Sequence, residues 1–320
     1  MSAPDHLHDH HHDHHDHGHH DHHHGHSHAP KSFDGAFAIG VVLNTGFVIA
    51  QILYGLAAHS MALLADAVHN FGDVFGLLIA WGAVWLGRRT PTSERTYGWG
   101  RSSILASLTN AVVLLLGCGA IAVGALQRLM DPQPVVETTV IWVAAVGIVI
   151  NGATALLFMR GSQGDLNIRG AFLHMASDAL VSLGVVLAGV LMLVTGWLWL
   201  DPLTSLAIAA VITVGTWGLL RDSANLALDA VPAGVKLDHV RSCLDALPGV
   251  VEVHDLHVWG LSTSQTALTA HLVVGTGHDP ALITQACRTV RTKFGISHAT
   301  FQLESTEIAS ECELRGAHVV

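Results

Sequence analysis

Charge is what this sequence has least of. Asp, Glu, Lys and Arg make up only 12% of its 320 residues, where an ordinary soluble domain carries about a quarter. With 50% of the residues hydrophobic, such a chain cannot build a fully solvated surface, so its composition excludes a soluble globular domain and leaves a membrane protein. Cysteine is sparse too. Cys118, Cys243, Cys287 and Cys312 form no Cys-x-x-Cys pair, so neither a disulfide framework nor a thiolate zinc ribbon is signalled, and reduced thiols facing the cytosol are expected. The opening "MSAPDHLHDHHHDHHDHG" lacks both the basic start and the apolar core of a signal peptide, so the first membrane helix is expected to direct insertion itself. The formal net charge of -10 is local: Asp5, Asp9, Asp13, Asp16 and Asp21 share one N-terminal tract with 15 of the 25 histidines. No nucleic-acid partner is expected.

What is present is apolar length. Crossing a hydrocarbon core of ~30 Å takes ~20 helical residues, and runs of that length occur at about residues 34–57, 61–86, 103–129, 138–160, 169–195 and 202–225. The connections between them carry turn residues, as in "AAHS", "MDPQP" and "RGSQGD", and Trp197 and Trp199 suit an interfacial anchor. Arg88, Arg89, Arg95, Arg101, Arg160, Arg169 and Arg221 flank one side of the six spans and only Arg128 the other, which by the positive-inside rule places both termini in the cytoplasm. After residue 231 the pattern changes to helix, two alternating strands, helix and strand. The expected architecture is therefore an all-α bundle of six transmembrane helices followed by a small cytoplasmic α+β domain of ferredoxin-like αββαβ order. Its expected boundaries are a disordered His/Asp-rich tail at 1–32, the transport domain at 33–228, the cytoplasmic domain at 229–310 and a short tail at 311–320.

Ionisable residues at membrane depth are costly and usually mark a substrate or proton path. Here they recur in one form. The second span holds His69-x-x-x-Asp73 and the fifth holds His174-x-x-x-Asp178. Residues four apart share a helix face, so two such faces turned toward each other offer two imidazoles and two carboxylates, which suits a tetrahedral divalent ion. A lone intramembrane histidine is more often a helix-to-helix hydrogen bonder, and one HxxxD alone says little; the repetition in two spans favours coordination. Imidazole ligands favour zinc, with cadmium and cobalt as chemical relatives. Asp66 shares roughly the same face one turn or more away, and is expected to serve the pathway or to stand behind the ligands. With neutral histidines the bare site carries two negative charges, which one zinc ion or two protons would cancel. Exchange of Zn²⁺ for H⁺ follows, because the bare site is the costly form in low dielectric.

Five stretches, "SMALLADAVHNFGDVFGLLIA", "RTYGWGRSSILASL", "GDLNIRGAFLHMASDALVSLGVVLAG", "DPLTSLAIAAVI" and "GVVEVHDLHVWGL", together resemble the cation diffusion facilitator family of zinc exporters. The likeness covers nearly everything after the histidine tract. It implies a homodimeric antiporter with six transmembrane helices that uses the proton gradient to drive divalent metal from the cytoplasm, with His69, Asp73, His174 and Asp178 as transport ligands. It also implies a cytoplasmic zinc site at His254, His271 and Glu304, where zinc would be a regulatory ion, and a charge interlock between Arg101 and Asp229. Strand alternation puts His257 on the opposite face from His254 unless the strand bends. The chain departs from the family pattern in three places. Trp99 and Gly100 stand where some relatives have a further loop ligand, Gln302 stands where some have His, and Cys312 is alone where some end in Cys-x-x-Cys.

The histidine tract is low-complexity and expected to be disordered without metal, gathering ions loosely near a cytoplasmic entrance. Two other classes compete with a carrier. A membrane zinc sensor or binding protein without net transport could use the same ligands, whereas an intramembrane metalloprotease would need the H-E-x-x-H arrangement and an open coordination position, and neither span offers them. The chain is expected not to be an enzyme, and a bacterial inner membrane is the expected location.

Overall fold

The structure is a computed structural model that describes residues 35–159, 166–275, 277, 279–312 and 314. The histidine tract and the connection containing Arg160 lie outside the described residues. Six long helices come first: α1 (Gly35–Ala57), α2 (Met61–Gly87), α3 (Ser102–Met130), α4 (Glu137–Met159), α5 (Leu166–Thr195) and α6 (Leu200–Ala227). Those from α2 to α6 contain stretches long and apolar enough to cross a membrane, and α1 adds a shorter apolar run, Val41–Ala57. The bundle is turned inside out relative to a soluble protein. Trp142 and Val214 are 74% and 78% exposed on its outside, while Gln51, Asp66, Asn70, Ser182 and Asp201 are buried inside it. That distribution is stable where hydrocarbon is the solvent and polar groups must find partners within the protein.

Two local devices set the position of α2. Ser60 caps its N-terminus, with Oγ accepting from the Leu63 amide at 3.1 Å. Asp201, in the first turn of α6, supplies the rest: Oδ1 accepts from Ser60 Oγ at 2.5 Å and from the Ala62 amide at 3.2 Å, and Oδ2 from the Met61 amide at 2.7 Å. The free donors of the first turn of α2 are thus satisfied by a carboxylate from another helix. Further along, Gly72 lets α3 approach closely, since a Cβ there would fall 2.1 Å from Leu114 Cδ2.

The second unit comprises α7 (Leu237–Asp245), β1 (Val250–Gly260), β2 (Thr266–Val274), α8 (Leu282–Phe294), β3 (His298–Ser305) and a short α9 (Thr306–Glu311). β1 pairs antiparallel with β2, and β2 pairs parallel with β3 through the α8 crossover that a parallel pair requires. Val240 and Leu244 of α7 and Ala286 and Val290 of α8 pack on Leu256, Leu268 and Leu272, which makes one face of the sheet the core. The αββαβ order is as expected from the sequence. α9 is an addition, capped by Ser305 and running across the boundary expected at residue 310.

The connection between α2 and α3 meets this unit. The Thr263 amide donates to Ser103 Oγ at 3.0 Å, the rings of Tyr97 and His298 meet edge to face at 5.4 Å, and Arg101 pairs with Asp229. At the other end of the bundle Arg128 donates to the His59 carbonyl.

Candidate metal centre

His69 and Asp73 project from one face of α2, and His174 and Asp178 from one face of α5. The two faces meet in crossed pairs. His69 Nε2 lies 2.9 Å from Asp178 Oδ1, and His174 Nε2 lies 3.3 Å from Asp73 Oδ1 and 3.8 Å from Asp178 Oδ2. Asp178 is buried and its two oxygens face the two imidazoles, whose ring centres are 6.2 Å apart. One ligand atom from each of His69, Asp73 and Asp178 lies within 4.8 Å of the others, and His174 reaches both carboxylates of that group. Asp73 Oδ2 is buried with no hydrogen-bond partner among the described residues. A buried orphan acceptor calls for an explanation, and a cation is one. Ligand atoms each about 2.0–2.2 Å from a tetrahedral ion lie roughly 3.3–3.6 Å from one another, and the separations of 2.9, 3.3 and 3.8 Å found here bracket that spacing.

Asp66 is not in that group. It is 1% exposed, and its Oδ2 accepts from Gln51 Nε2 of α1 at 2.6 Å and from Ser182 Oγ of α5 at 3.4 Å. Gln51 Oε1 in turn accepts from Asn70 Nδ2 at 3.0 Å. Asp66 therefore ties α1, α2 and α5 together beside the crossed pairs. Residue spacing gave no hint of Gln51, Ser182 or Asp201; a polar side chain inside an apolar span was the signal each of them offered.

In the second unit, His254 and His271 are register partners on β1 and β2, and Glu304 lies within β3. Glu304 is 2% exposed, with Oε2 3.0 Å from His254 Nε2 and Oε1 3.0 Å from His271 Nδ1. The alternation expected between His254 and His257 is corrected here. β1 advances from His254 to His257 while β2 steps only from His271 to Thr269, and Asp255 in between takes φ 49°. This bulge resets the alternation and brings both histidines to one face. His257 still does not join Glu304; its Nε2 lies 2.9 Å from Asp255 Oδ1, and Asp255 Oδ2 lies 3.6 Å from His271 Nε2.

Residues 37–226 match the family model described as the cation efflux transmembrane domain, and residues 232–306 match that of the cation efflux protein cytoplasmic domain. The chain belongs to the cation efflux family. Among relatives in this family, the cation efflux system protein CzcD of Alcaligenes sp. (strain CT14) is 34% identical over 277 residues, 86% of this chain and 88% of that protein. The cadmium, cobalt and zinc/H(+)-K(+) antiporter of Bacillus subtilis (strain 168) is 31% identical over 276 residues, 83% of this chain and 88% of its own. The zinc transporter ZitB of Escherichia coli (strain K12) is 34% identical over 272 residues, covering 84% and 86%. Membership of the cation efflux family makes this an integral membrane transporter for metal cations, built as a helical bundle joined to an α+β unit. The crossed pairs lie wholly within the first matched region, and the His254, His271 and Glu304 cluster wholly within the second.

Proposed function

We propose that this protein exports zinc from the cytoplasm in exchange for protons, with His69, Asp73, His174 and Asp178 as the ligands of the transported ion. The observation that carries this reading is the crossing of the pairs, which gives every imidazole a carboxylate from the facing helix. Two neutral imidazoles and two carboxylates neutralise one divalent ion, and two protons neutralise the same carboxylates. The site is therefore balanced when loaded with either and carries two unmatched charges when empty. In low dielectric the empty form is the one that crosses between inward- and outward-facing states least readily. Lowering pH places protons on the ligands and weakens metal binding, so an acidic exterior favours release there and an alkaline interior favours loading.

The mixed nitrogen and oxygen donor set accepts cadmium and cobalt as well as zinc, in keeping with the ions in the Bacillus subtilis relative's name. The arginine-rich end of the bundle, which carries the α7 to α9 unit, faces the cytoplasm by the positive-inside rule. In this reading the second unit pairs with its copy in a homodimer and binds a regulatory ion through His254, His271 and Glu304. The membrane is a bacterial inner membrane, and the histidine tract gathers ions at the cytoplasmic entrance.

The test is zinc flux into proteoliposomes under an imposed pH gradient. Wild-type protein is expected to move zinc with countermovement of protons, and Asp73→Asn with Asp178→Asn to abolish both. Full-rate flux in the double variant would falsify the assignment of the site, and saturable zinc binding without flux in the wild type would mark a membrane sensor.

A further inference from the structure

Three helices step together around the crossed pairs. Ser182 of α5 lies between α2 and α4: its Oγ donates to Asp66 Oδ2 at 3.4 Å on one side, and on the other a Cβ at Gly147 of α4 would fall 3.0 Å from it. One turn toward the arginine-rich end, each helix presents its next residue on the same face: His69 on α2, Asp178 on α5 and Asn151 on α4. The antiparallel register of α4 and α5 is fixed a second time toward their other end, where a Cβ at Gly189 would fall 2.8 Å from Ile141 Cγ1. Asp178 therefore has His69 on one side and Asn151 on the other. Asn151 is 4% exposed, and its Nδ2 is buried with no hydrogen-bond partner among the described residues. A buried unpaired donor is costly, and one set beside a buried carboxylate calls for an explanation.

We propose that Asn151 is a positioning residue for the transported ion: it donates to the Asp178 oxygen that the ion leaves free, and so holds that carboxylate to coordination through one oxygen. The inference rests on the reading of His69, Asp73, His174 and Asp178 as transport ligands and adds to it a determinant of which ion they prefer. In the empty protein the two oxygens of Asp178 face the two imidazoles, at 2.9 and 3.8 Å. A tetrahedral ion takes one nitrogen from each imidazole and one oxygen from each carboxylate. When the ring nitrogens turn to the ion, one oxygen of Asp178 loses its partner, and the Asn151 amide is the unpaired donor that the helix register sets beside it. Ligating carboxylates are commonly fixed by such outer contacts, whose loss lowers metal affinity by about 10–100-fold. Holding the second oxygen away from the ion favours four-coordinate zinc. A larger ion such as cadmium accommodates both oxygens, so removing the donor shifts the preference toward cadmium.

Initial rates of zinc and of cadmium uptake into proteoliposomes of the full-length protein, under one imposed pH gradient, separate affinity from turnover. Asn151→Leu removes the donor at nearly constant volume. Its KM for zinc is expected to rise about 10–100-fold, its KM for cadmium to rise several-fold less, and the maximal rates to change little. The unfolding midpoint in detergent should not fall, because the Nδ2 group removed has no hydrogen bond to lose in the empty protein. Asn151→Ala lacks the donor without adding bulk and should shift the two KM values in the same direction, which keeps the test open if Leu disturbs insertion. An unchanged zinc KM overturns the proposal. Equal rises for both ions also overturn it, since they mark a residue that only supports packing. The variant carrying Asp73→Asn with Asp178→Asn tells this failure from that of the site itself. If it is inactive while Asn151→Leu keeps the zinc KM of the wild type, Asn151 alone is removed; if it transports at full rate, the transport ligands and this inference fall together.

Discussion

Asp66 and Asp73 both lie on α2 and both are carboxylates inside an apolar bundle, yet their surroundings assign them different work. Each keeps one buried oxygen without a hydrogen-bond partner among the described residues, but Asp73 faces His174 across the helix pair, whereas Asp66 Oδ2 receives hydrogen bonds from Gln51 and Ser182. Replacing Asp66 therefore tests packing before it tests transport. Asp66→Asn keeps a carbonyl oxygen for the Gln51 and Ser182 donors. Asp66→Ala leaves the fully buried Gln51 amide without its acceptor, a loss of about 1–3 kcal/mol. Thermal unfolding in detergent should order the three proteins wild type, Asp66→Asn, Asp66→Ala. Zinc affinity of the folded Asp66→Asn protein should fall far less than that of Asp73→Asn. Equal loss of zinc binding in the two Asn variants would make Asp66 a ligand and contradict the geometry.

At the scale of the element, the position of α2 depends on a residue of α6. Asp201 accepts from Ser60 Oγ and from the first two amides of α2, so Asp201→Ala orphans three buried donors at once. Losing a cap costs about 0.5–2 kcal/mol, and burial adds to it. Amide hydrogen exchange in residues 60–64 should accelerate in Asp201→Ala while that in α4 stays unchanged. Uniform acceleration across the bundle would mean that Asp201 supports general stability and not the start of α2. The six helices and the αββαβ order were legible in the sequence because apolar length and strand alternation are local signals. His69 with Asp73 and His174 with Asp178 were legible for the same reason, each pair being a one-helix pattern. Asp201 and Gln51 were not, since each finds its partner on another element and no one-helix pattern joins them: Ser60 lies 141 residues from Asp201, and Asp66 lies 15 from Gln51 on the next helix. The bulge at Asp255 escaped because one inserted residue in a strand leaves no compositional mark.

Across the whole molecule, the bundle and the α+β unit meet at a narrow seam where Arg101, at the start of α3, pairs with Asp229, just beyond α6. Both side chains are about half exposed, at 52% and 51%, and pairs of this kind contribute about 0–1 kcal/mol because water and salt screen them. We propose that the main effect of this contact is on which relative positions of the two units are favoured. Asp229 holds φ 59°, a left-handed conformation that Asn adopts as readily as Asp, so Asp229→Asn removes the charge without straining the turn. Arg101→Gln, Asp229→Asn and the double variant form a thermodynamic cycle. The unfolding midpoints of all three should stay close to wild type, and zinc flux should fall several-fold in each single variant. In the double variant it should fall no further than in the worse single one, since two groups that act through one contact cannot be lost twice. Multiplied losses in the double variant would show that Arg101 and Asp229 act separately, and that the coupling between the units runs through Tyr97 with His298 and Ser103 with Thr263 instead.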